Sequence, residues 1–451
     1  MKASPASDSS YPSAQFIPSA PSIPKVLIIT YYWPPGSGAG VQRWLKFSKY
    51  LPSNGWEPVI LTVDPEYATY PAIDHSLEND IPAGLRVIRT RAIDWFRLYK
   101  RNKSEIPSAG FAANNNRSFS GRLSRFIRGN FFIPDPRRGW NRFALRKACE
   151  IISGEGIVNF ITTSPPHSTQ LIGLRLKRKF PAVRWIADLR DPWTGIYYYK
   201  EFYPGFISRM IDLGYEKKVL RSADRIITVG NSLKAHFAER VPEASVKTEV
   251  IFNGYDGDDF AGLTPVKPSR FTISYIGTLS PAYPLDAFLD ALSELKAGGR
   301  DPLLRFVGMV PEELKAVISG RTGSENTEFH GYASHREAIH YMLDSSALLL
   351  IIPDHETNRS IITGKLFEYL AAKVPVICLG PVDGDAARII ADCGSGWVFG
   401  YGDAAGIRSC IEEIMSGACA GNLKSPEEFR RDNLTRQIAG LFEEPVNKRP
   451  R

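Results

Sequence analysis

Thr363-Gly364-Lys365-Leu366-Phe367-Glu368 sets a cation and a carboxylate three residues apart, just behind a hydroxyl and a glycine. An apolar stretch, Ala347 to Ile352, precedes this segment and another, Val374 to Leu379, follows it. Leu366, Tyr369 and Leu370 recur at helical spacing, so the middle reads as a helix. Thr363 stands where it would cap that helix, with free N–H groups aimed at whatever lies beyond. A lysine beside a helix N-terminus suits a phosphate, and a carboxylate one turn further suits the hydroxyls of a ribose. An ordinary surface Lys–Glu pair accounts for the same spacing equally well. Arg359 closes the polar loop from Asp354 and is a second cation suited to phosphate, unless that loop is simply solvated.

Four further stretches stand where a strand gives way to a loop. Gly36-Ser37-Gly38-Ala39-Gly40 follows the apolar run Lys25 to Thr30 and precedes a helical pattern. Glycines at Gly38 and Gly40 let backbone N–H groups approach an oxyanion. The spacing is GxGxG, whereas the dinucleotide fingerprint is GxGxxG, and Val41 stands at its last position. Asp64 does end the next strand, where a ribose-binding acid would sit. Thr162 to Ser168 leaves another strand and presents His167, a donor for a substrate oxygen or a capping residue. Asp188-Leu189-Arg190-Asp191-Pro192-Trp193 leaves the strand after that. Asp188 and Asp191 suit sugar hydroxyls or base chemistry, or a structural pair with the arginine between them. Gly277, in Tyr275-Ile276-Gly277-Thr278-Leu279, repeats the strand-to-glycine pattern later in the chain.

The elements that must position these residues alternate strand and helix, which predicts a mostly parallel α/β sheet covered on both faces. The alternation breaks at Asn253-Gly254-Tyr255-Asp256 and restarts at Phe271. We therefore expect two tandem domains, 25–252 and 271–425, joined by a linker at 253–270. A leader at 1–24 and a final helix with tail at 426–451 complete the division.

The chain has 451 residues, 43% hydrophobic and 23% charged, enough for two well-cored globular domains. Five cysteines without metal-ligand spacing point to a reducing compartment. No run reaches the roughly 18 apolar residues of a membrane span, and the Ser/Pro/Ala-rich start lacks a signal-peptide core. A cytoplasmic protein follows. The net charge of +8 is local, because 94–147, read from the sheet pattern as an insertion in the first domain, holds thirteen Lys or Arg against three Asp or Glu. Leu123, Phe126 and Ile127 share a face of a short helix expected near Gly121, with Arg122, Arg125 and Arg128 spaced along it. That combination suits docking on an anionic membrane, or else a solvated basic loop. Nucleic-acid binding would rest on basicity alone. Walker A, HExxH, Gly-x-Ser-x-Gly and zinc spacings are missing from the sequence, which removes the enzyme classes that need them.

Taken together, the stretch Pro34 to Gly40, Asp188 to Trp193, Asn253-Gly-Tyr-Asp256, Tyr275 to Leu279 and Thr363 to Glu368 resemble retaining glycosyltransferases of the family 4 type. The resemblance implies a GT-B fold: two Rossmann-like domains facing across a cleft, with the last helix crossing back onto the first. It implies a nucleotide-sugar donor, UDP- or GDP-linked, held by the second domain through Gly277, Thr363, Gly364, Lys365, Leu366 and Glu368, without metal or further cofactor. It implies a glycan or lipid-linked acceptor on the first domain, with His167, Asp188 and Asp191 positioning sugar and acceptor. Ser360 stands where many members carry the first of two glutamates eight apart, Glu368 keeping the second, and Thr278 stands where many carry an arginine. Arg359 and Lys365 are then the cations for the diphosphate. Two other functions fit the same residues: a non-catalytic nucleotide-sugar or glycan-binding protein on this fold, and an NAD-linked oxidoreductase using the Gly36 loop and Asp64.

Overall fold

Strands such as Val26-Leu27-Ile28-Ile29 and Leu348-Leu349-Leu350-Ile351 are apolar without alternation, so both of their faces must be covered. Helices on both sides of a parallel sheet meet that demand. The computed structural model describes residues 23–93, 95, 119–417 and 426–444, and there the chain forms two such sheets.

The first sheet comprises β1 (Lys25–Ile29), β2 (Glu57–Val63), β3 (Arg86–Thr90), β4 (Asn159–Ser164), β5 (Arg184–Leu189), β6 (Arg225–Thr228) and β7 (Thr248–Val250). Its order is β3-β2-β1-β4-β5-β6-β7, all parallel. The helices are α1 (Ala39–Tyr50), α2 (Phe119–Phe131), α3 (Asn141–Glu155), α4 (Gln170–Lys179), α5 (Phe206–Ser222) and α6 (Asn231–Arg240). The second sheet comprises β8 (Thr272–Ile276), β9 (Leu303–Val307), β10 (Thr327–His330), β11 (Ala347–Ile351), β12 (Val376–Leu379) and β13 (Gly396–Phe399), ordered β10-β9-β8-β11-β12-β13 and again parallel. Its helices are α7 (Asp286–Ala297), α8 (Glu312–Thr322), α9 (His335–Leu343), α10 (Gly364–Ala372), α11 (Asp385–Asp392) and α12 (Ala404–Met415).

The strand order reverses between β1 and β4, and again between β8 and β11. At such a switch point the two neighbouring loops diverge to opposite faces, opening a crevice beyond the carboxyl ends of the strands. The Gly36–Gly40 loop and the His167 loop flank the first crevice, and Gly277 and the segment leading to Lys365 flank the second.

Asn253 to Asp256 ties the domains together. Asn253 Oδ1 accepts from Arg43 of α1 at 3.1 Å. Gly254 has φ +61, and a Cβ there would lie 2.3 Å from the Phe429 carbonyl oxygen. Tyr255 pairs with Arg430. The buried Asp256 carboxylate meets Lys46 at 3.2 Å, Lys49 at 3.1 Å and the Tyr50 hydroxyl. After this knot α13 (Arg431–Glu443) returns to the first domain, where Leu434, Ile438, Ala439 and Phe442 pack with Val26, Trp44 and Ile186. The Phe442 ring lies 4.9 Å from that of Trp56, and Arg184 donates to the Leu441 carbonyl at 2.8 Å.

The basic segment 94–147 is not one insertion. Its end, from Asn141, belongs to α3, which packs beside β1, β2 and β3 as part of the regular framework. Its helical middle is α2, starting two residues before Gly121. Residues 94 and 96–118 lie outside the described residues, as do 1–22 of the leader, 418–425 and the tail 445–451.

Candidate active site

On the second domain, Gly277 and Lys365 meet. Gly277 has φ +119, and a Cβ there would lie 2.7 Å from Lys365 Cε and 2.8 Å from Nζ. Lys365 enters from the first turn of α10. Its Nζ donates to Tyr275 Oη at 2.8 Å and lies 4.1 Å from the centre of that ring. Tyr275 Oη donates onward to the Thr278 carbonyl at 2.9 Å. Burial pushes the Lys365 ammonium down to about 7, against the opposing pull of Glu368. A cation destabilised in this way gains from any anion that joins it.

Thr363 takes the capping position at the start of α10, but its side chain makes no cap bond. Its Oγ1 is buried without a hydrogen-bond partner. The expected cap is thus a hydroxyl held in reserve at a helix N-terminus, an environment that favours negative charge. Gly364, beside it, faces open space where a Cβ would stand. Leu366 does not face this site: its side chain is fully buried in the second-domain core, and only its backbone lies near. Glu368, one turn further, is 4.0 Å from His335 Nδ1. Burial raises its carboxyl, with the His335 charge opposing. His335 Nε2 in turn meets Asp259 at 3.0 Å, and that bond raises the imidazole.

Arg359 takes a different partner from the one expected. It forms an exposed ion pair with Asp383 at 3.0 Å, so Lys365 is the cation at Gly277.

On the first domain, Gly38 is exposed at the start of α1 with φ +101. A Cβ at Gly40 would lie 3.6 Å from Arg190 Nη2. Arg190, whose Nε donates to the Ser164 carbonyl at 3.0 Å, therefore rests against the first turn of α1. Its neighbour Asp188 is not a cleft residue. The carboxylate is fully buried and pairs with Arg43 Nη2 at 3.2 Å, while accepting from Trp44 Nε1 at 2.7 Å and Thr163 Oγ1 at 2.8 Å. Oδ1 has only the ion pair with Arg43, and with no exposed surface the carboxylate cannot reach a sugar. The structural Asp–Arg pair does exist, with Arg43 as the arginine. Nothing in the α1 sequence distinguishes Arg43 from a solvated helix residue.

His167 stacks on Trp193, ring centres 4.9 Å apart and 14° from parallel. Burial lowers its pKa despite the opposing charge of Asp191, which favours the neutral ring. Its Nδ1 is buried with no hydrogen-bond partner. Asp191 lies half-exposed on the same loop as Trp193. The first domain thus presents a neutral, unsatisfied imidazole and a carboxylate beside its crevice.

Residues 270–416 match the family model described as glycosyl transferases group 1. The match covers the second domain, where Gly277 and Lys365 lie. No curated protein matches the chain. Among solved structures, sucrose-phosphate synthase from Thermosynechococcus elongatus is similar at TM-score 0.62 and 17% identity, covering 93% of this chain and 98% of that one. Anabaena HepE in complex with UDP-glucose is similar at TM-score 0.57 and 14% identity, covering 92% and 98%. The lipopolysaccharide outer core galactosyltransferase WaaB, in its apo form, is similar at TM-score 0.55 and 13% identity, covering 92% and 99%. At these identities what is shared is the architecture: two Rossmann-like domains in the GT-B arrangement.

Proposed function

We propose that the chain is a glycosyltransferase that moves a sugar, with retention, from a UDP- or GDP-linked donor to a hydroxyl of a glycan or lipid-linked acceptor in cell-surface polysaccharide synthesis. One observation carries the reading. At the second switch point a glycine at positive φ, a depressed lysine and an unpartnered threonine hydroxyl at a helix N-terminus converge, which is a cradle for a diphosphate. The group 1 glycosyltransferase match over the same domain supports it. So do the similar folds of a protein in complex with UDP-glucose and of a lipopolysaccharide galactosyltransferase.

In this reading the bond between the sugar C1 and the diphosphate oxygen breaks as the acceptor oxygen bonds to C1 from the same face. The acceptor proton passes to the departing phosphate oxygen. Charge grows on the diphosphate as the bond breaks, and Lys365 with the α10 N-terminus stabilises it there. Glu368 anchors the ribose. His167 and Asp191 orient the acceptor, and Asp188 acts only through Arg43 and the placement of α1.

A panel of nucleotides and nucleotide-sugars in a thermal-shift assay tests the donor. A ligand at a hundred times its Kd adds about 2.7 kcal/mol, a clear rise in Tm. The anomeric configuration of the product then tests retention. A protein that no nucleotide-sugar stabilises, and that turns none over with any acceptor, rules the reading out. Because Lys365 supplies the counter-charge, activity is expected to survive EDTA, and full loss restored by magnesium or manganese would count against that role.

A further inference from the structure

Helix α5 is built inside out over its first half. Ser208, Asp212 and Glu216 point into the protein, while Phe206, Ile207, Met210 and Ile211 point to solvent. Phe206 is 80% exposed and Ile207 73%. The inward residues are all engaged. Ser208 Oγ donates to Asn130 Oδ1 of α2 at 3.0 Å, Asp212 accepts from Trp193 Nε1 at 2.6 Å, and Glu216 accepts from Thr194 Oγ1 at 2.6 Å. These bonds hold the helix in an orientation that hydrophobic burial would otherwise reverse.

The outward strip continues onto the neighbouring helix. α2 packs on the turn before α5 and on α5 itself. Asn130 of α2 also accepts from Gly205 N at 2.7 Å. From α2, Leu123, Phe126 and Phe131 add exposed apolar surface, Phe131 at 70%. The two helices packed on α5 carry charge of one sign. α2 carries Arg122, Arg125 and Arg128 and no acid. Arg125 and Arg128 lie over the rings of Tyr203 and Phe202, at 5.9 and 4.0 Å. α4, packed on the other side of α5, carries exposed Arg175, Arg178 and Lys179 and likewise no acid.

We propose that the face formed by α2 and the first half of α5 docks on an anionic lipid bilayer. Its aromatic and aliphatic side chains enter the headgroup layer, and the flanking arginines and lysines meet lipid phosphates. Charge complementarity selects this occupant over an apolar protein groove, because a cationic border on both sides of an apolar strip is what a negative interface attracts. The expectation from sequence stopped at α2. The α5 strip was hidden because its spacing reads as an ordinary core face. Asp212 also fastens Trp193, which stacks on His167, so docking would hold the acceptor-side crevice beside the membrane. The proposal does not depend on the sugar-transfer reading.

The test is flotation of the full chain with phosphatidylcholine vesicles, with and without phosphatidylglycerol. The wild type is expected to float with the anionic vesicles only, and to be released in about 1 M salt, where screening shortens to about 3 Å. Ile207→Glu with Met210→Glu is expected to lower partitioning at least tenfold while leaving Tm and nucleotide binding unchanged. Three results would each overturn the proposal. The first is a wild type that ignores anionic vesicles. The second is a double variant that floats as well as wild type, placing the contact elsewhere. The third is a fall in Tm or the loss of a solution dimer in the variant, showing that the face is covered by this chain or by a second copy.

Discussion

Burial beside Tyr275 pushes the Lys365 ammonium to about 7, so its charge at neutral pH depends on what binds. A diphosphate would stabilise the charged form and raise that pKa. Below pH 7 the cation is present before the ligand arrives. Above it, binding takes up a proton, so affinity falls as pH rises, by up to about tenfold per unit. Titration calorimetry from pH 6 to 9, in buffers of different ionisation heat, checks both slope and proton uptake. Lys365→Met should abolish the slope and lower kcat more than it raises KM, since charge on the leaving group grows toward the transition state. A pH-independent affinity would remove Lys365 from the diphosphate. Asp188 makes the opposite case. Asp188→Ala leaves the Arg43 guanidinium buried and unpaired, which costs about 3–5 kcal/mol in comparable sites. A large fall in Tm, with donor affinity retained in the protein that folds, is the expected signature. A stable but inactive Asp188→Ala would return this carboxylate to the chemistry.

At the scale of elements, α13 belongs by sequence to the second half of the chain and by packing to the first. Its Phe442 fills the space beside Trp56 under the first sheet. Phe442→Ala opens a cavity there, and truncations of this kind cost about 3–5 kcal/mol. Chemical denaturation should show that loss in the transition of the first domain. If only a separate second-domain transition moves, α13 stabilises the wrong half for this account. α10 illustrates a different division. Leu366, Phe367, Tyr369 and Leu370 anchor it in the core, which leaves Gly364, Lys365 and Glu368 to face the crevice.

For the whole molecule, Asp256 is the joint. Burial opposes its ionisation, but the Tyr50 hydroxyl and the Lys46 and Lys49 charges outweigh it and hold the carboxyl well below the usual range. Asp256 sits in the segment between the domains and its partners sit on α1. Because the folded pKa is depressed, the stabilisation is complete above the unfolded value near 4 and is lost as pH falls below it. We expect wild-type Tm to drop steeply under acid. Asp256→Asn should flatten that dependence and lower Tm at neutral pH, since the buried Lys46 is then left with only Asp80 and Asp259, each at 3.4 Å. An unchanged acid profile in the variant would assign the acid lability to other carboxylates.

Hydrophobic period and punctuation were enough to read two parallel α/β sheets and a helical end without a strand after it. Unbroken apolar runs and Gly or Asn turns are local signals, and local signals survive without contacts. Gly277, Thr363 and Lys365 were legible as candidates because each sits where a strand or helix ends. Their meeting was not, because it depends on β8 and β11 lying side by side although 71 positions or more separate their residues in the chain. Spacing placed Asp188 and Asp191 on one loop, but which one turns inward was decided by Arg43, Trp44 and Thr163 from other elements. Periodicity records that a helix has an apolar face. Which way that face turns is set by the partners of the opposite face, and in α5 Trp193, Thr194 and Asn130 turn it outward.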